Sequence, residues 1–365
     1  MNIFLIFTLL FLLSEFIICA VRFLLRKKQP STGVRIAVIV FKAVFAIALA
    51  ALVMAGPVFL RKIQPFMMAM YVALLADSAA DLIMLIINAV KKSEKRFGIT
   101  QILSLILGAV FFAYGVMNME IVKPSYHTYT SEKLQSEHTF IFAADIHAGS
   151  AQPLSVTEKT VKAMNDLSPD FIILGGDITD DYTTKEEMDK VFEFFGRCDC
   201  PVYYLYGNHD RQGHAEYAIG HQYTREEYEK AMRDNGIIIL KDEFVRISDD
   251  LILLGREDIT EGESRAKVES LVNPDPEAYL VVADHQPVEF KENSVIGTDL
   301  QLSGHTHAGQ LFPLRALYSL IGYCFGDYEY EGAVMNVSAG ACGWRMPLRT
   351  ESHCYYEVIN LKPAG

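Results

Sequence analysis

The sequence predicts an α/β domain with two-layered or sandwiched β-sheets, preceded by an apolar helical region. Two observations carry this prediction. Apolar residues crowd into the first third of the 365-residue chain, although they make up only 51% of the whole. Beyond residue 138, short β-rich apolar runs alternate with helix-like segments, a pattern typical of strands connected by helices. We therefore divide the chain into a helical region at 1–122, a connector at 123–138 and a globular domain at 139–365.

Four apolar stretches make up the first region, at 3–25, 34–60, 66–90 and 99–122. Each reaches the roughly 20 residues that a helix needs to cross a bilayer, so we interpret them as transmembrane helices. Asp77 and Asp81 interrupt the third stretch at i, i+4 spacing, so they share one helix face. We favour a polar contact between helices over an intramembrane functional site.

Charge separates the two regions. Residues 1–134 have a net charge of +8 and residues 135–365 a net charge of −20, which argues against a nucleic-acid partner for the acidic part. Nine cations lie in the first and third loops between the apolar stretches and two in the second, so the positive-inside rule predicts a multi-pass cell-membrane protein with its domain outside the cytoplasm. The six cysteines include no CxxC pair, so they indicate neither a thiolate zinc site nor a disulfide framework.

The globular domain has predicted strands at 139–145, 170–177, 201–208, 251–255, 278–285, 298–303, 333–337 and 354–359. Segments 155–167 and 185–195 have helical length and apolar spacing. Because strands and helices alternate early while the later strands follow one another closely, we expect parallel pairing first and a layered domain as a whole.

Five of the apolar runs end in residues of the types that bind metals. These residues are Asp145, His147, Asp177, Asn208, His285, His305 and His307. In open α/β sheets ligands gather beyond the carboxyl ends of the strands, so these side chains should converge. Carboxylates, imidazoles and an amide without thiolate suit Mn²⁺, Fe or Zn²⁺. Seven ligands exceed one tetrahedral zinc and suit two ions about 3.5–4 Å apart, bridged by one carboxylate.

The motif order Asp-x-His, Gly-Asp, Gly-Asn-His-Asp, His and Gly-His-Thr-His resembles that of the calcineurin-like metallophosphoesterase superfamily. The ending Gly-His-Thr-His-Ala-Gly-Gln, with a later Val-Ser-Ala-Gly and Pro-x-Arg, is similar to its bacterial membrane-bound or exported branch. The resemblance covers residues 139–361 and implies a β-sandwich flanked by helices, in four α/β/β/α layers. It also implies that one ion binds Asp145, His147 and His307, that the other binds Asn208, His285 and His305, and that Asp177 bridges them.

His209, which directly follows Asn208, is expected near the metals but not on them. We predict that it stabilises the phosphoryl charge and protonates the leaving oxygen, while Asp210 orients its ring or raises its basicity. The alternative is that His209 only supports the ligands. A water bridging the ions would lose its proton near neutral pH and attack phosphorus in line. His214 and His221 either touch the substrate or belong to a polar loop.

Other residues receive less specific interpretations. Asp180 and Asp181 are expected to be solvated carboxylates at a helix cap. Arg345 and Arg349 either meet a phosphate or lipid head group or are ordinary surface residues. The apolar segment 311–323 is either a buried element or a surface that rests on lipid.

Together these features predict a membrane-anchored phosphoesterase that hydrolyses phosphate mono- or diesters with two divalent ions, Mn²⁺ being favoured. An envelope or lipid-linked phosphate ester is the expected substrate. Two alternatives stay open: a lipid or nucleotide pyrophosphatase of the same fold, and a membrane sensor that binds metals without turnover.

Overall fold

The computed structural model describes residues 31, 33–34, 36–38, 40–45, 64–91, 100–312, 315–316, 319–320, 322–344 and 346–365. The chain forms two compact units, residues 1–114 and 115–365.

Helix α1 (Gln64–Lys91) and helix α2 (Thr100–Met119) follow each other along the chain. In the first unit Asp77 of α1 is buried and forms an ion pair with Lys42, which is also buried. A buried charge is tolerated when it is paired, and this pair agrees with the interpretation of Asp77 as a polar contact between helical segments.

The prediction of four membrane-spanning helices is wrong for the part of the chain that the structure describes. None of the helices in that part is both long enough and apolar enough to cross a membrane. The third and fourth predicted spans correspond to α1 and α2. The first span, 3–25, and most of the second, 34–60, lie outside the described residues. The predicted multi-pass membrane localisation depended on these spans, and it is therefore wrong for the described residues.

The second unit contains two sheets. Their strands are β1 (Val122–Ser131), β2 (His138–Ala143), β3 (Phe171–Leu174), β4 (Val202–Tyr204), β5 (Ile238–Ile239), β6 (Glu243–Arg246), β7 (Leu251–Gly255), β8 (Tyr279–Ala283), β9 (Leu300–Ser303), β10 (Gly326–Tyr330), β11 (Ala333–Val337) and β12 (Cys354–Pro363). Its remaining helices are α3 (Leu154–Asp166), α4 (Lys185–Gly196), α5 (Arg225–Asp234) and α6 (Phe290–Val295).

Each sheet has six strands. The first has the order β1-β12-β2-β3-β4-β5 and the second the order β10-β11-β9-β8-β7-β6. Strands β2, β3 and β4 are mutually parallel in the first sheet, and β7, β8 and β9 are mutually parallel in the second. The carboxyl ends of each parallel set therefore meet along one rim of their sheet.

The two sheets pack face to face through a buried apolar core. Its members from both sheets include Phe140, Phe142, Phe171, Leu253, Val281 and Leu302. A second core lies between the first sheet and α3, α4 and α5. Phe290 of α6 packs against Ala333 and Met335 of β11 on the other sheet. This is the sandwich flanked by helices that the sequence predicted.

Helices α4 and α5 begin where the sequence provides capping boxes. The Thr184 and Thr224 side chains accept hydrogen bonds from the backbone N–H groups of Glu187 and Glu227, whose carboxylates bond back to the cap residues. These reciprocal bonds satisfy donors that would otherwise lack partners at a helix start.

The predicted connector at 123–138 differs from the structure, because most of it forms strand β1. This strand pairs in parallel with β12, from Val122 opposite Cys354 to Ser131 opposite Pro363. Its residues are half-buried or exposed, as befits an edge strand. A polar strand of this kind gives no apolar run to detect.

Candidate metal centre

The residues predicted to bind metals lie on the loops that leave β2, β3, β4, β8 and β9. Backbone hydrogen bonds join neighbouring loops. The Asp145 N–H donates to the carbonyl of Gly176 at 3.0 Å, and the Gly304 N–H donates to the carbonyl of His285 at 2.8 Å. The structure thus brings the loops from each sheet side by side at its rim.

The backbone of these loops is strained at the predicted ligands. Asp145, His147, Asp177, His305 and His307 all have positive φ, with values of 56°, 44°, 51°, 68° and 44°. Residues other than glycine rarely adopt this conformation, and it persists only where the surrounding structure enforces it.

Two glycines let the loops approach the carboxylates. A Cβ at Gly207 would lie 2.2 Å from Asp177 Oδ1, and a Cβ at Gly304 would lie 2.5 Å from Asp145 Oδ2. Any side chain at either position would therefore displace a carboxylate.

One group of ligand atoms comes from Asp145, His147 and His307. These atoms all lie within 4.8 Å of one another, and the three residues are buried. His307 Nε2 lies 3.1 Å from His147 Nε2 and 3.3 Å from Asp145 Oδ1. Burial, then the charges of His147 and Arg349, hold the pKa of His307 well below its usual range. His307 is therefore neutral, which is the form that binds a metal.

A second group comes from Asp177, His285 and His305, whose ligand atoms also lie within 4.8 Å of one another. His285 Nδ1 lies 2.9 Å from the carbonyl oxygen of Gly175, to which it can donate. Its Nε2 faces Asp177 Oδ2 at 3.2 Å. Burial and the charge of His285 lower the pKa of His305 to about 4. His305 is therefore also neutral near pH 7.

Asp177 lies between the two groups. Its Oδ2 is 3.9 Å from His147 Nε2 and 3.2 Å from His285 Nε2, while its Oδ1 accepts a hydrogen bond from the His209 N–H at 2.8 Å. Burial would raise the pKa of Asp177, but the charges of His285 and His209 outweigh it and hold the pKa well below its usual range. An ionised carboxylate between two ligand groups is what a bridging ligand requires.

The chain leaves a polar atom at this centre without a partner, and a cation fits it. Among the described residues, the buried Asn208 Oδ1 has no hydrogen-bond partner. In the same part of the chain, the ion pairs of Asp145 and Asp177 involve imidazoles only. Buried carboxylates are costly without a counter-charge. Oxygen and nitrogen ligands without thiolate suit Mn²⁺, Fe or Zn²⁺.

His209 lies beside the ligands, and its partner is Asp181 rather than Asp210. His209 Nδ1 is 2.8 Å from Asp181 Oδ2, and the His209 ring centroid is 5.8 Å from that of His147. Burial would lower the pKa of His209, but the hydrogen bond to Asp181, followed by the charge of Asp177, raises it to about 9.

Asp210 has a different role from the predicted one. Its carboxylate accepts hydrogen bonds from the backbone N–H groups of Gly207 at 2.7 Å, Asp177 at 2.8 Å and Thr179 at 2.9 Å. The Tyr228 hydroxyl donates to it as well. These bonds tie the loop after β3 to the loop after β4, so Asp210 positions the ligands of both loops instead of the His209 ring.

The interpretation of Asp180 and Asp181 as solvated carboxylates is wrong, because both are buried. Asp180 Oδ2 lies 3.4 Å from His147 Nδ1, on the ring side away from His307, and can hold the orientation of this predicted ligand. The signal that could have found them is an acidic pair three residues beyond the strand-end Asp177, on the same rim.

Arg349 is fully buried, so its interpretation as a surface residue is wrong. Its guanidinium donates to the carbonyls of Ala339 at 2.7 Å and Cys342 at 3.0 Å. The Cys342 carbonyl lies 3.3 Å from His307 Nδ1, so Arg349 fixes the loop that supports this ligand. The signal was the Pro-x-Arg motif noted with the resemblance.

The remaining candidates fall outside the ligand groups. The His214 ring is 6.2 Å from that of His209, and the His214 N–H donates to Asp181 Oδ1 at 2.7 Å. His221 is exposed. Arg345 and part of the segment 311–323 lie outside the described residues.

The chain is similar to known metallophosphoesterases. A family model described as calcineurin-like phosphoesterase matches residues 138–309. An uncharacterized metallophosphoesterase of Campylobacter jejuni is 28% identical over 301 residues, which is 78% of this chain and 76% of that protein. A transmembrane protein with metallophosphoesterase domain of Danio rerio is 27% identical over 72% of this chain, and this chain spans 63% of its length. The crystal structure of a dimetal phosphatase from Danio rerio is 12% identical to this chain and covers 56% of this chain and 87% of that one, with a TM-score of 0.37.

Proposed function

The chain belongs to the calcineurin-like phosphoesterase superfamily, and from this premise we propose that it hydrolyses phosphate mono- or diesters with two divalent cations, Mn²⁺ being the expected ion. The observation that supports this most strongly is the position of Asp177. Its buried carboxylate lies 3.9 Å from His147, which is grouped with His307 and Asp145. The same carboxylate lies 3.2 Å from His285, which is grouped with His305. In hydrolases with two metals, a paired site of this kind stabilises both the attacking and the leaving oxygen of the phosphoryl group.

In this proposal Asp145, His147 and His307 hold one cation, Asn208, His285 and His305 hold the other, and Asp177 is shared. When bound, the two cations supply a water-derived nucleophile near neutral pH and offset the negative charge of the phosphoryl group. The chain contributes the geometry, since the strained loops and Asp210 hold the carboxylates in place before substrate arrives.

His209 is the group proposed to protonate the leaving oxygen. Asp181 occupies its Nδ1 at 2.8 Å, which leaves Nε2 as the nitrogen that can give a proton to a substrate. The side chain of His209 is 12% exposed, so it borders solvent at the centre while its partner is buried. A proton donor at the mouth of the site can reach a leaving group that is still part of a bound ester.

The test is an assay of the full chain loaded with Mn²⁺ on p-nitrophenyl phosphate, bis(p-nitrophenyl) phosphate and a nucleoside diphosphate. We expect metal-dependent hydrolysis of at least one ester, lost in Asp177→Asn. Asp166→Asn is the matched control, because Asp166 is an exposed carboxylate on α3 that pairs with Lys162. Selective cleavage of the diphosphate would favour the pyrophosphatase alternative. Binding of two metals without any turnover would favour the non-catalytic one.

A further inference from the structure

Trp344 is the single tryptophan of the chain, and it lies beside the proposed proton donor. Its ring centroid is 5.9 Å from that of His209, and the ring planes are inclined by 36°. The residue is 41% exposed, so a large apolar ring borders solvent at the mouth of the metal centre. Neither the metal ligands nor the proposed acid accounts for this placement.

The loop that carries Trp344 is fixed on both sides. The Gln310 side chain accepts a hydrogen bond from the Trp344 N–H at 3.1 Å and donates to the Trp344 carbonyl at 3.0 Å. It also donates to the carbonyl of Met346 at 3.0 Å. A Cβ at Gly343 would lie 2.8 Å from Gln310 Nε2, so glycine permits this close contact. Gln310 itself follows the ligand His307, so the position of Trp344 is tied to the metal centre.

The chemistry of the proposed reaction locates the leaving group. A proton from His209 must arrive at the ester oxygen that departs, and this transfer needs the two heavy atoms within hydrogen-bond reach. The group attached to that oxygen therefore extends away from the metals past the His209 ring. Trp344 borders that path, because its ring is a direct neighbour of His209.

We propose that Trp344 binds the leaving group of the substrate and that the enzyme prefers phosphate esters whose leaving group carries a flat apolar ring, aromatic or heteroaromatic. This inference rests on the proposed function. Indole offers a large π surface at low conformational cost, and stacking of a ring on it is favourable without hydrogen-bond specificity. An anchored loop adds to the affinity, because little ordering remains to be done when substrate binds.

The activity test compares benzyl phosphate with n-propyl phosphate, whose leaving alcohols are similar in acidity but differ in the ring. Trp344→Ala should lower kcat/KM for benzyl phosphate by about tenfold and change that for propyl phosphate by less than about twofold. Trp344→Phe should retain most of the preference. Tyr126→Ala, which removes an exposed aromatic ring from edge strand β1, is the control and should change neither substrate. Equal losses on both esters, or no loss on either, would overturn the inference.

A binding test gives a readout that is independent of turnover. Because the chain has one tryptophan, its fluorescence reports on Trp344 alone. Titration with benzylphosphonate should change the emission of the Mn²⁺-loaded chain more strongly than titration with propylphosphonate. Equal responses, or none, would overturn the inference. If the wild type hydrolyses neither of these esters, nor p-nitrophenyl phosphate or bis(p-nitrophenyl) phosphate, but responds selectively to benzylphosphonate, the proposed function fails while the ring-binding role of Trp344 stands.

Discussion

Replacement of Asp181 with asparagine removes the charge from the partner of His209 while keeping the shape of the side chain. The hydrogen bond is 2.8 Å long, and the His209 and Asp181 side chains are only 12% and 7% exposed. A hydrogen bond to a charged group is worth about 1.5–3 kcal/mol. If the reaction needs His209 protonated and aligned, the loss corresponds to about a 10- to 150-fold lower kcat on an ester with a poor leaving group.

The assay compares two substrates. Benzyl phosphate releases benzyl alcohol, which is a poor leaving group, and p-nitrophenyl phosphate releases p-nitrophenol, which is a good one. Asp181→Asn should lose far more kcat on the first, because a good leaving group departs without protonation. Asp210→Asn is the comparison variant. The Asp210 carboxylate accepts hydrogen bonds from the backbone N–H groups of Asp177, Thr179 and Gly207. Its replacement should therefore lower thermal stability and metal content, without a larger loss of kcat on the poor leaving group. Equal losses on both esters in Asp181→Asn would refute the role of Asp181.

Three further predictions follow from named contacts. His209→Ala should keep its metals but lose roughly 10²–10⁴-fold in kcat on benzyl phosphate and less on p-nitrophenyl phosphate; an equal loss on both would leave it an electrostatic role only. Asp177→Asn should weaken both cation sites, because its carboxylate lies between them, and retention of two ions in a metal analysis would contradict the shared ligand. Burial would raise the pKa of Glu229, but hydrogen bonds from Lys241 and Arg233, among others, lower it from 4.5 to about 2. The stability that Glu229 contributes is therefore fully present above pH 4.5 and lost as the pH falls toward 2. The free energy of unfolding of Glu229→Gln should be ~1 kcal/mol below that of the wild type near neutral pH, and the two values should converge in acid. A difference that does not change with pH would contradict this prediction.

The convergence of the proposed ligand residues could be predicted from the sequence because these residues follow apolar runs. Parallel strands must bring their carboxyl ends to one rim, so a residue such as Asp177 or His285 can be placed without knowledge of the loops. The partner of His209 could not be predicted in the same way. Asp181 and Asp210 are both close to ligands in sequence, and the choice depends on how the chain turns after Asp177, where φ is 51°.

Other features were missed because their signal is not local. Strand β1 has no apolar run, and it forms because β12 at the far end of the domain offers an edge to pair with. Arg349 was interpreted as a surface residue since arginine is seldom buried, but two backbone carbonyls accept its hydrogen bonds. The membrane prediction was wrong for the described helices, none of which is both long enough and apolar enough to cross a membrane.

The proposed hydrolysis requires two divalent cations that share Asp177. Metal analysis of the purified full chain, loaded with Mn²⁺ and freed of excess metal by gel filtration, decides whether they are present. We predict two equivalents of Mn²⁺ per chain, with release of phosphate from p-nitrophenyl phosphate rising as the second equivalent binds. One equivalent or fewer at saturation would contradict the two-metal centre.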